Sequence, residues 1–434
     1  MSRTAGRSRF WLALVIFGLT GQVAWVVENM YFNVFIYKMF HASASQISAM
    51  VSASAVAATV TTLLIGALSD KVGRRKIFIC VGYILWGLSI AAFSLVRVDL
   101  LSGLFPAVSA AALGVTITII LDCVMTFFGS SANDACFNAW LTDSTDHTNR
   151  GAAEGINAMM PLVAILAVFG GFMGFDLDKA SSWTAIFLII GGAVVLIGVL
   201  GLFLIKDTAV KIPENRHYFA NIVYGFRPSV MGQNKVLYAT LVAFAVFGIS
   251  IQIFMPYLIL YYQVSLQMED YVLIMAPAII LASVATAFYG RLYDRVGFAR
   301  SAAPALGLLL VGYGVLYFCR ATVPVFIGSL LMMTGYLAGM AVFGAMIRDY
   351  TPENKAGMFQ GLRIVGQVLI PGIIGPAIGS AVLKNADTIV NDDGTTSFIP
   401  NVNIFLAAAV VAVLVFVALI PILKLKKGES TREN

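Results

Sequence analysis

Along the chain, apolar residues gather into long runs separated by short polar breaks. The runs lie near 10–37, 46–68, 77–96, 108–141, 153–175, 183–205, 236–262, 271–289, 301–319, 324–347, 358–383 and 402–423. A helix needs roughly 20 apolar residues to cross a hydrocarbon core about 30 Å thick, and most of these runs meet that length. The pattern predicts an all-α membrane protein of twelve transmembrane helices. One polar segment, 206–235, is longer than the other breaks and divides six spans from six. It predicts an N-terminal half over 1–205, a central loop, and a C-terminal half over 236–434 that ends in a short tail.

Composition sharpens this picture. Of 434 residues, 59% are hydrophobic and 12% charged, with mean hydropathy +0.89. Soluble domains carry about a quarter charged residues, so an ordinary soluble enzyme is excluded. Arg3, Arg7 and Arg9 precede the first run as they would in a signal peptide, but that run is too long for one and contains Glu28. It reads as a retained first helix. Basic residues set the orientation. With both termini on one side, that side holds 22 of the 28 Lys and Arg and the other holds five, Arg363 alone falling within a span. Both termini are therefore expected on the cytoplasmic face of the cell membrane. The net charge of +6 is dispersed among loops, which argues against a nucleic-acid partner. The four cysteines lie in apolar runs and His41, His147 and His217 in or beside loops, without metal-ligand spacing, so no metal or cofactor is expected.

The two halves repeat each other. G-A-L-S-D-K-V-G-R-R-K (66–76) follows the second run, and G-R-L-Y-D-R-V-G-F-A-R (290–300) follows the eighth. Gly66, Leu68, Asp70, Val72 and Gly73 recur as Gly290, Leu292, Asp294, Val296 and Gly297 at a constant spacing of 224. Asp143, Thr145, Gly151 and Gly155 recur as Asp349, Thr351, Gly357 and Gly361 at a spacing of 206. Parallel repeats of this kind build transporters with a site near the bilayer midplane. The motif G-x-L-S-D-K-x-G-R-R-K resembles the signature loop of the major facilitator superfamily, and its degenerate copy falls where that family has one. The resemblance implies secondary transport of a small solute by alternating access. It implies too that Gly66, Asp70, Gly73, Arg74, Arg75 and Asp294 form a gating latch. Arg74 and Arg75 also fit the simpler role of topology determinants.

Ionisable groups at bilayer depth cost a few kcal/mol each, so each marks a functional site by default. Glu28, Asp122, Asp134 and Arg363 qualify. On the first helix Trp25, Glu28 and Phe32 share a face at helical spacing, beside a stripe containing Asn29 and Asn33. An acid among aromatics and amides suits a polyhydroxyl ligand, whose hydroxyls need partners and whose C–H faces rest on rings. A protonated Glu28 satisfied inside the bundle is the alternative. The fourth span carries Asp122, Thr126 and Asn133 on one face and Asp134 beside it. The seventh carries Gln252, Tyr257, Tyr261 and Tyr262, similar to the Gln and paired aromatics of sugar porters, although a tyrosine pair near a helix end equally fits an interfacial belt. The resemblance implies that spans one, four, seven and ten line the cavity.

Asp134 and Arg363 lie at similar depth and each is charged in one half only, so an ion pair that closes the cytoplasmic side is expected, with anion binding as the alternative role of Arg363. No G-x-x-x-x-G-K-[ST] loop for ATP is present, and a cation gradient is the expected energy source. A loose likeness to melibiose-type symporters implies a sugar or glycoside, but those carry paired aspartates in the second span and 46–68 has no acid. A proton on Glu28, Asp122 or Asp134 is therefore expected ahead of sodium. Proton-driven drug or metabolite efflux is the competing function. Membrane lipids are the only other expected partners, and a monomer suffices.

Overall fold

The computed structural model describes residues 3–145, 150–206, 224–351, 356–391 and 394–430. Its long helices are α1 (Ser8–Phe40), α2 (Ala44–Val72), α3 (Arg75–Leu95), α4 (Ala110–Asp143), α5 (Arg150–Phe172), α6 (Ala180–Leu204), α7 (Lys235–Ser265), α8 (Tyr271–Tyr289), α9 (Arg291–Phe318), α10 (Thr322–Tyr350), α11 (Gly361–Val382) and α12 (Asn403–Leu425). Among the described residues eleven of these are long and apolar enough to cross a membrane, and α5 adds a shorter apolar stretch, Met159–Phe172. The all-helical, twelve-span architecture expected from the hydrophobic pattern is present. Residues that would face water in a soluble protein are apolar instead, as at Leu188, Ile189 and Phe203 on α6 and Val410 and Val417 on α12.

Local signals in the sequence explain several helix ends. Ser43 and Gln46 form a capping box that starts α2, the Ser43 hydroxyl accepting from the Gln46 backbone N–H and the Gln46 side chain accepting from that of Ser43. Gly73 ends α2 in the left-handed region, with φ 69° and ψ 16°. Its repeat counterpart Gly297 is also at positive φ, 78°, but with ψ 178°. That second combination is essentially confined to glycine. It shifts the expected break between the eighth and ninth spans: helical structure from Tyr271 continues beyond Tyr289, is broken by the non-helical Gly297, and resumes to Phe318.

Two small elements outside the spans were not legible in the sequence. A short helix, Val98–Leu104, joins α3 to α4, and an antiparallel hairpin pairs Thr388–Val390 with Thr396–Phe398 between α11 and α12. Elements this short show too few alternations for period to identify them.

The chain divides into two compact units, Met1–Arg216 and His217–Asn434. In the first, α3 packs on α6 and α1 on α5; in the second, α7 packs on α11 and α12, and α9 on α10.

Candidate functional site

In the first unit the polar residues of α1 and α4 come together with three residues not singled out from the sequence, Ser54, Tyr83 and Trp86. Glu28 is buried in a π-helical turn of α1, Val27–Tyr31. Such turns insert a residue into the helix and recur at functional sites. Its Oε1 is hydrogen-bonded to the Ser54 hydroxyl of α2 at 2.6 Å and to the Thr126 hydroxyl of α4 at 2.9 Å. The two hydroxyls lie 2.8 Å from each other. Among the described residues Glu28 Oε2 is buried without a hydrogen-bond partner, and so is Asp122 Oδ1. Asp122 stands one turn before Thr126 and is buried, with the Ser54 hydroxyl within hydrogen-bonding reach and the Glu28 carboxyl as a like-charged neighbour.

Trp25, one turn before Glu28, places its indole 5.0 Å from that of Trp86 on α3. Among the described residues the Trp86 ring N–H and Asn33 Oδ1 are buried without a partner, whereas the Trp25 ring N–H approaches the Asp134 carboxyl as a donor. Asn33 donates to the Asn29 carbonyl at 3.1 Å, and Asn29, which is exposed, donates to that of Trp25 at 2.7 Å. Phe32 is placed differently. Its ring is 4.5 Å from Phe93 and 5.6 Å from Phe187, in an aromatic cluster of α1, α3 and α6.

A second π-helical turn, Ser130–Phe137, carries Asn133 and Asp134 in α4. Asn133 Oδ1 and the Phe17 carbonyl each lie 2.9 Å from the Tyr83 hydroxyl. A Cβ at Gly21 would fall 2.6 Å from Asn133 Oδ1, so only glycine lets α1 approach α4 this closely here. Asp134 accepts from Ser130 at 3.0 Å and from Asn133 at 3.3 Å. Glu28, Thr126, Asn133 and Asp134 thus share one polar seam built from α1, α2, α3 and α4.

In the second unit α7 is interrupted twice, by a 3-10 turn at Met255–Tyr257 around Pro256 and by a π-helical turn at Tyr261–Ser265. Tyr257, Tyr261 and Tyr262 are fully buried, which removes them from an interfacial belt. The Tyr262 hydroxyl is 2.5 Å from that of Ser329, whereas the Tyr261 hydroxyl has no partner among the described residues. Gly375 of α11 packs against Gln252, and Gly379 against the Ile253 carbonyl and the Tyr257 ring; a Cβ at either would fall within 2.4 Å of α7. Arg363 is exposed and donates to Gln367 Oε1 at 3.0 Å, beside another π-helical turn, Val365–Leu369. Asp134 and Arg363 belong to different units.

The signature loop divides its residues by burial. Arg75 is buried, with Nε 3.2 Å from Asp143 Oδ2 at the end of α4 and a further hydrogen bond to the Ser69 hydroxyl at 2.5 Å. Arg74 and Asp294 are exposed, Gly66 faces Ala135 at van der Waals distance, and the Asp70 side chain lies outside those described. Ser69 and Arg75 together tie the start of α3 to both neighbours. In the second unit Tyr293 occupies the repeat position of Ser69, and its hydroxyl donates to Asp349, the counterpart of Asp143, at 2.5 Å. Among the described residues no cluster of three or more His, Cys, Asp or Glu could hold a metal. A cavity of about 430 Å³ between Phe35, Phe93, Arg97 and Trp183 contains none of the seam carboxyls in its lining.

No curated protein matches the chain significantly in sequence. Its fold is shared with many solved structures. The nucleoside transporter NupG, in a point-mutant form, superposes with a TM-score of 0.72 at 12% identity, over 94% of this chain and 99% of that one. A bacterial homologue of the human lysosomal transporter Spinster, inward-facing and unoccupied, gives 0.69 at 15% identity over 97% of both chains. The xylose transporter XylE from E. coli, partially occluded and inward-open, gives 0.66 at 13% identity over 94% of this chain and 98% of that one. At such identities these likenesses establish the fold alone. The family model described as Major Facilitator Superfamily matches residues 10–342 and again 272–434, spanning both repeats. With its paired halves, its signature loop and that match across nearly its whole length, the chain belongs to the major facilitator superfamily and is a transporter of small solutes.

Proposed function

We propose that this chain is a secondary active transporter that carries a sugar or glycoside across the cell membrane by alternating access, in symport with a proton. Both termini face the cytoplasm in this reading, as the distribution of basic residues requires. The observation that carries it is the environment of Glu28. A carboxyl lies buried at bilayer depth, one oxygen held by two hydroxyls and the other without a partner among the described residues, near the Trp86 indole N–H and the Asn33 side-chain oxygen, whose own hydrogen bonds are unmade. Buried polar groups are normally satisfied, and unmet donors and acceptors gathered in one place fit a ligand that completes them.

The Trp25 and Trp86 indoles offer rings for a sugar's C–H face, the Trp86 N–H offers a donor for its oxygens, and Asn33 Oδ1 offers an acceptor. Gln252, Tyr257 and Tyr261 are the corresponding binding groups proposed from the second unit. Two structural neighbours are named for nucleosides and for xylose; their likeness bears on fold, and the solute class proposed here rests on the residues of the seam. The unpartnered oxygen of Asp122 favours a second reading, proton-driven efflux of a cationic drug or metabolite, for which the same carboxyls would be the counter-charge.

Uptake of labelled mono- and disaccharides and nucleosides into energised right-side-out vesicles, with and without a protonophore, separates the two. Symport predicts protonophore-sensitive accumulation of at least one of these solutes, lost in Glu28→Gln. No uptake of any of them, together with active expulsion of a lipophilic cation, would establish efflux instead.

A further inference from the structure

Three oxygens from three helices close a triangle in the first unit: Glu28 Oε1 of α1, Ser54 Oγ of α2 and Thr126 Oγ1 of α4. Its sides are 2.6, 2.9 and 2.8 Å. All three are hydrogen-bond lengths, so a filled triangle needs three protons. The two hydroxyls supply one each. An ionised Glu28 would leave one side with lone pairs opposed beside a charge. Its Oε2, buried and unpartnered, would also hold part of that charge unsatisfied. A proton on Glu28 completes the count. The carboxyl donates to Thr126, Thr126 to Ser54 and Ser54 back to the carboxyl, so every oxygen donates once and accepts once, each bond polarising the next.

The charged groups that bear on Glu28 have the same sign. Asp122 and Asp134 approach from α4, Tyr83 of α3 lies beside Asp134, and α2 contributes hydroxyls only, of which Ser54 is also within hydrogen-bonding reach of Asp122. A metal ion fits the triangle poorly. A hard cation about 2.4 Å from each oxygen spreads neighbouring octahedral ligands to about 3.4 Å, wider than any side here.

Taking the transporter reading as its basis, we propose that Glu28, Ser54 and Thr126 form the proton site of the transport cycle, with Ser54 as a positioning residue. The neutral carboxyl is locked between the hydroxyls of α2 and α4 while the triangle is closed. Movement of α2 away from α1 and α4 removes the ring and leaves the carboxyl to give its proton to water. The coupled ion is then a proton and not sodium.

Infrared difference spectra of the full-length protein in liposomes, taken between acid and alkaline pH with no solute added, test this directly. The expected result is a protonated-carboxyl C=O band present at neutral pH, absent in Glu28→Gln, displaced in Ser54→Ala and restored in Ser54→Thr. Replacing potassium by sodium should leave it in place. Absence of a Glu28 band at neutral pH, a band unmoved in Ser54→Ala, or loss of the band with proton release on adding sodium would each overturn the proposal. Because no solute is present, a Glu28 band in a protein that transports no sugar would refute the solute assignment and leave the proton site standing.

Discussion

At bilayer depth the first unit holds three carboxyls, Glu28, Asp122 and Asp134, whereas α7 of the second unit offers Gln252, Tyr257 and Tyr261 and α10 is uncharged until Arg348 near its end. The two units share a helix plan and a signature loop, so the difference lies in chemistry and not architecture. Carboxyls change charge with a proton; phenols and amides present hydrogen bonds that do not. In the proposed reading this contrast separates two tasks, with the coupled ion held in the first unit and the second contributing uncharged groups to solute recognition. The loop ties show the same division. Asp143 is held by a buried arginine, and its counterpart Asp349 by a tyrosine.

The strongest test of this asymmetry uses the two charges that exist in one half only. Reversing either alone, Asp134→Arg or Arg363→Asp, is expected to lower transport by more than about 100-fold, because each leaves a like charge at bilayer depth. The double reversal should recover a substantial part of it, measured as initial uptake rate. Failure of the double variant would remove the ion pair expected from the sequence. Next in size are the loop ties. Arg75→Ala leaves Asp143 half-buried without its cation, at a cost of about 2 kcal/mol, while Tyr293→Phe removes a single hydrogen bond worth about 1 kcal/mol. Thermal unfolding in detergent should rank them in that order, and equal losses would mean that the two ties are equivalent after all.

Smaller again is the effect expected in α7. The Tyr261 hydroxyl has no protein partner, so Tyr261→Phe should raise the half-saturation concentration about fivefold to tenfold, the worth of one hydrogen bond to solute, and leave protonophore sensitivity unchanged. A change in coupling would move ion chemistry into the second unit. The smallest effect belongs to the loop pair Arg97–Asp99, 2.6 Å apart and open to solvent. The Arg97 guanidinium holds the Asp99 carboxyl below the usual carboxylate range. A depressed carboxyl contributes above its unfolded pKa, about 3.9, and the contribution is lost as pH falls through the lower folded value. Asp99→Asn should therefore leave the melting temperature at pH 7 almost unchanged, since exposed pairs are weak and screened.

Much of this was legible in the sequence, for identifiable reasons. Span length fixes membrane crossing, and the constant 224-residue offset exposed the repeat, including Gly73 and Gly297, whose positive φ values require glycine. Helical spacing also brought out Glu28, Thr126, Asn133 and Asp134, which the structure gathers into one seam. Ser54 was not singled out, because a serine in a run rich in serine and threonine carries no signal until its position against Glu28 is known. Phe32 satisfied the spacing rule but packs with Phe93 and Phe187, since a face of helix 1 narrower than the predicted stripe reaches the seam. The π-helical turns that carry Glu28, Asn133 and Tyr261 escaped as well. A one-residue insertion into a helix changes no composition and barely disturbs a hydrophobic period.

The account centres on Glu28 as the carrier of the coupled ion, and the most direct measurement compares two modes of transport in one variant. Wild-type and Glu28→Gln vesicles would be assayed for uphill accumulation driven by a proton gradient and for counterflow, in which labelled solute exchanges across a membrane without net proton movement. The account predicts that Glu28→Gln loses accumulation by at least about 100-fold and retains counterflow at saturating solute. Accumulation undiminished in Glu28→Gln would contradict it, and so would equal loss of both modes, which would make Glu28 a solute ligand or a structural group and place the coupled ion elsewhere.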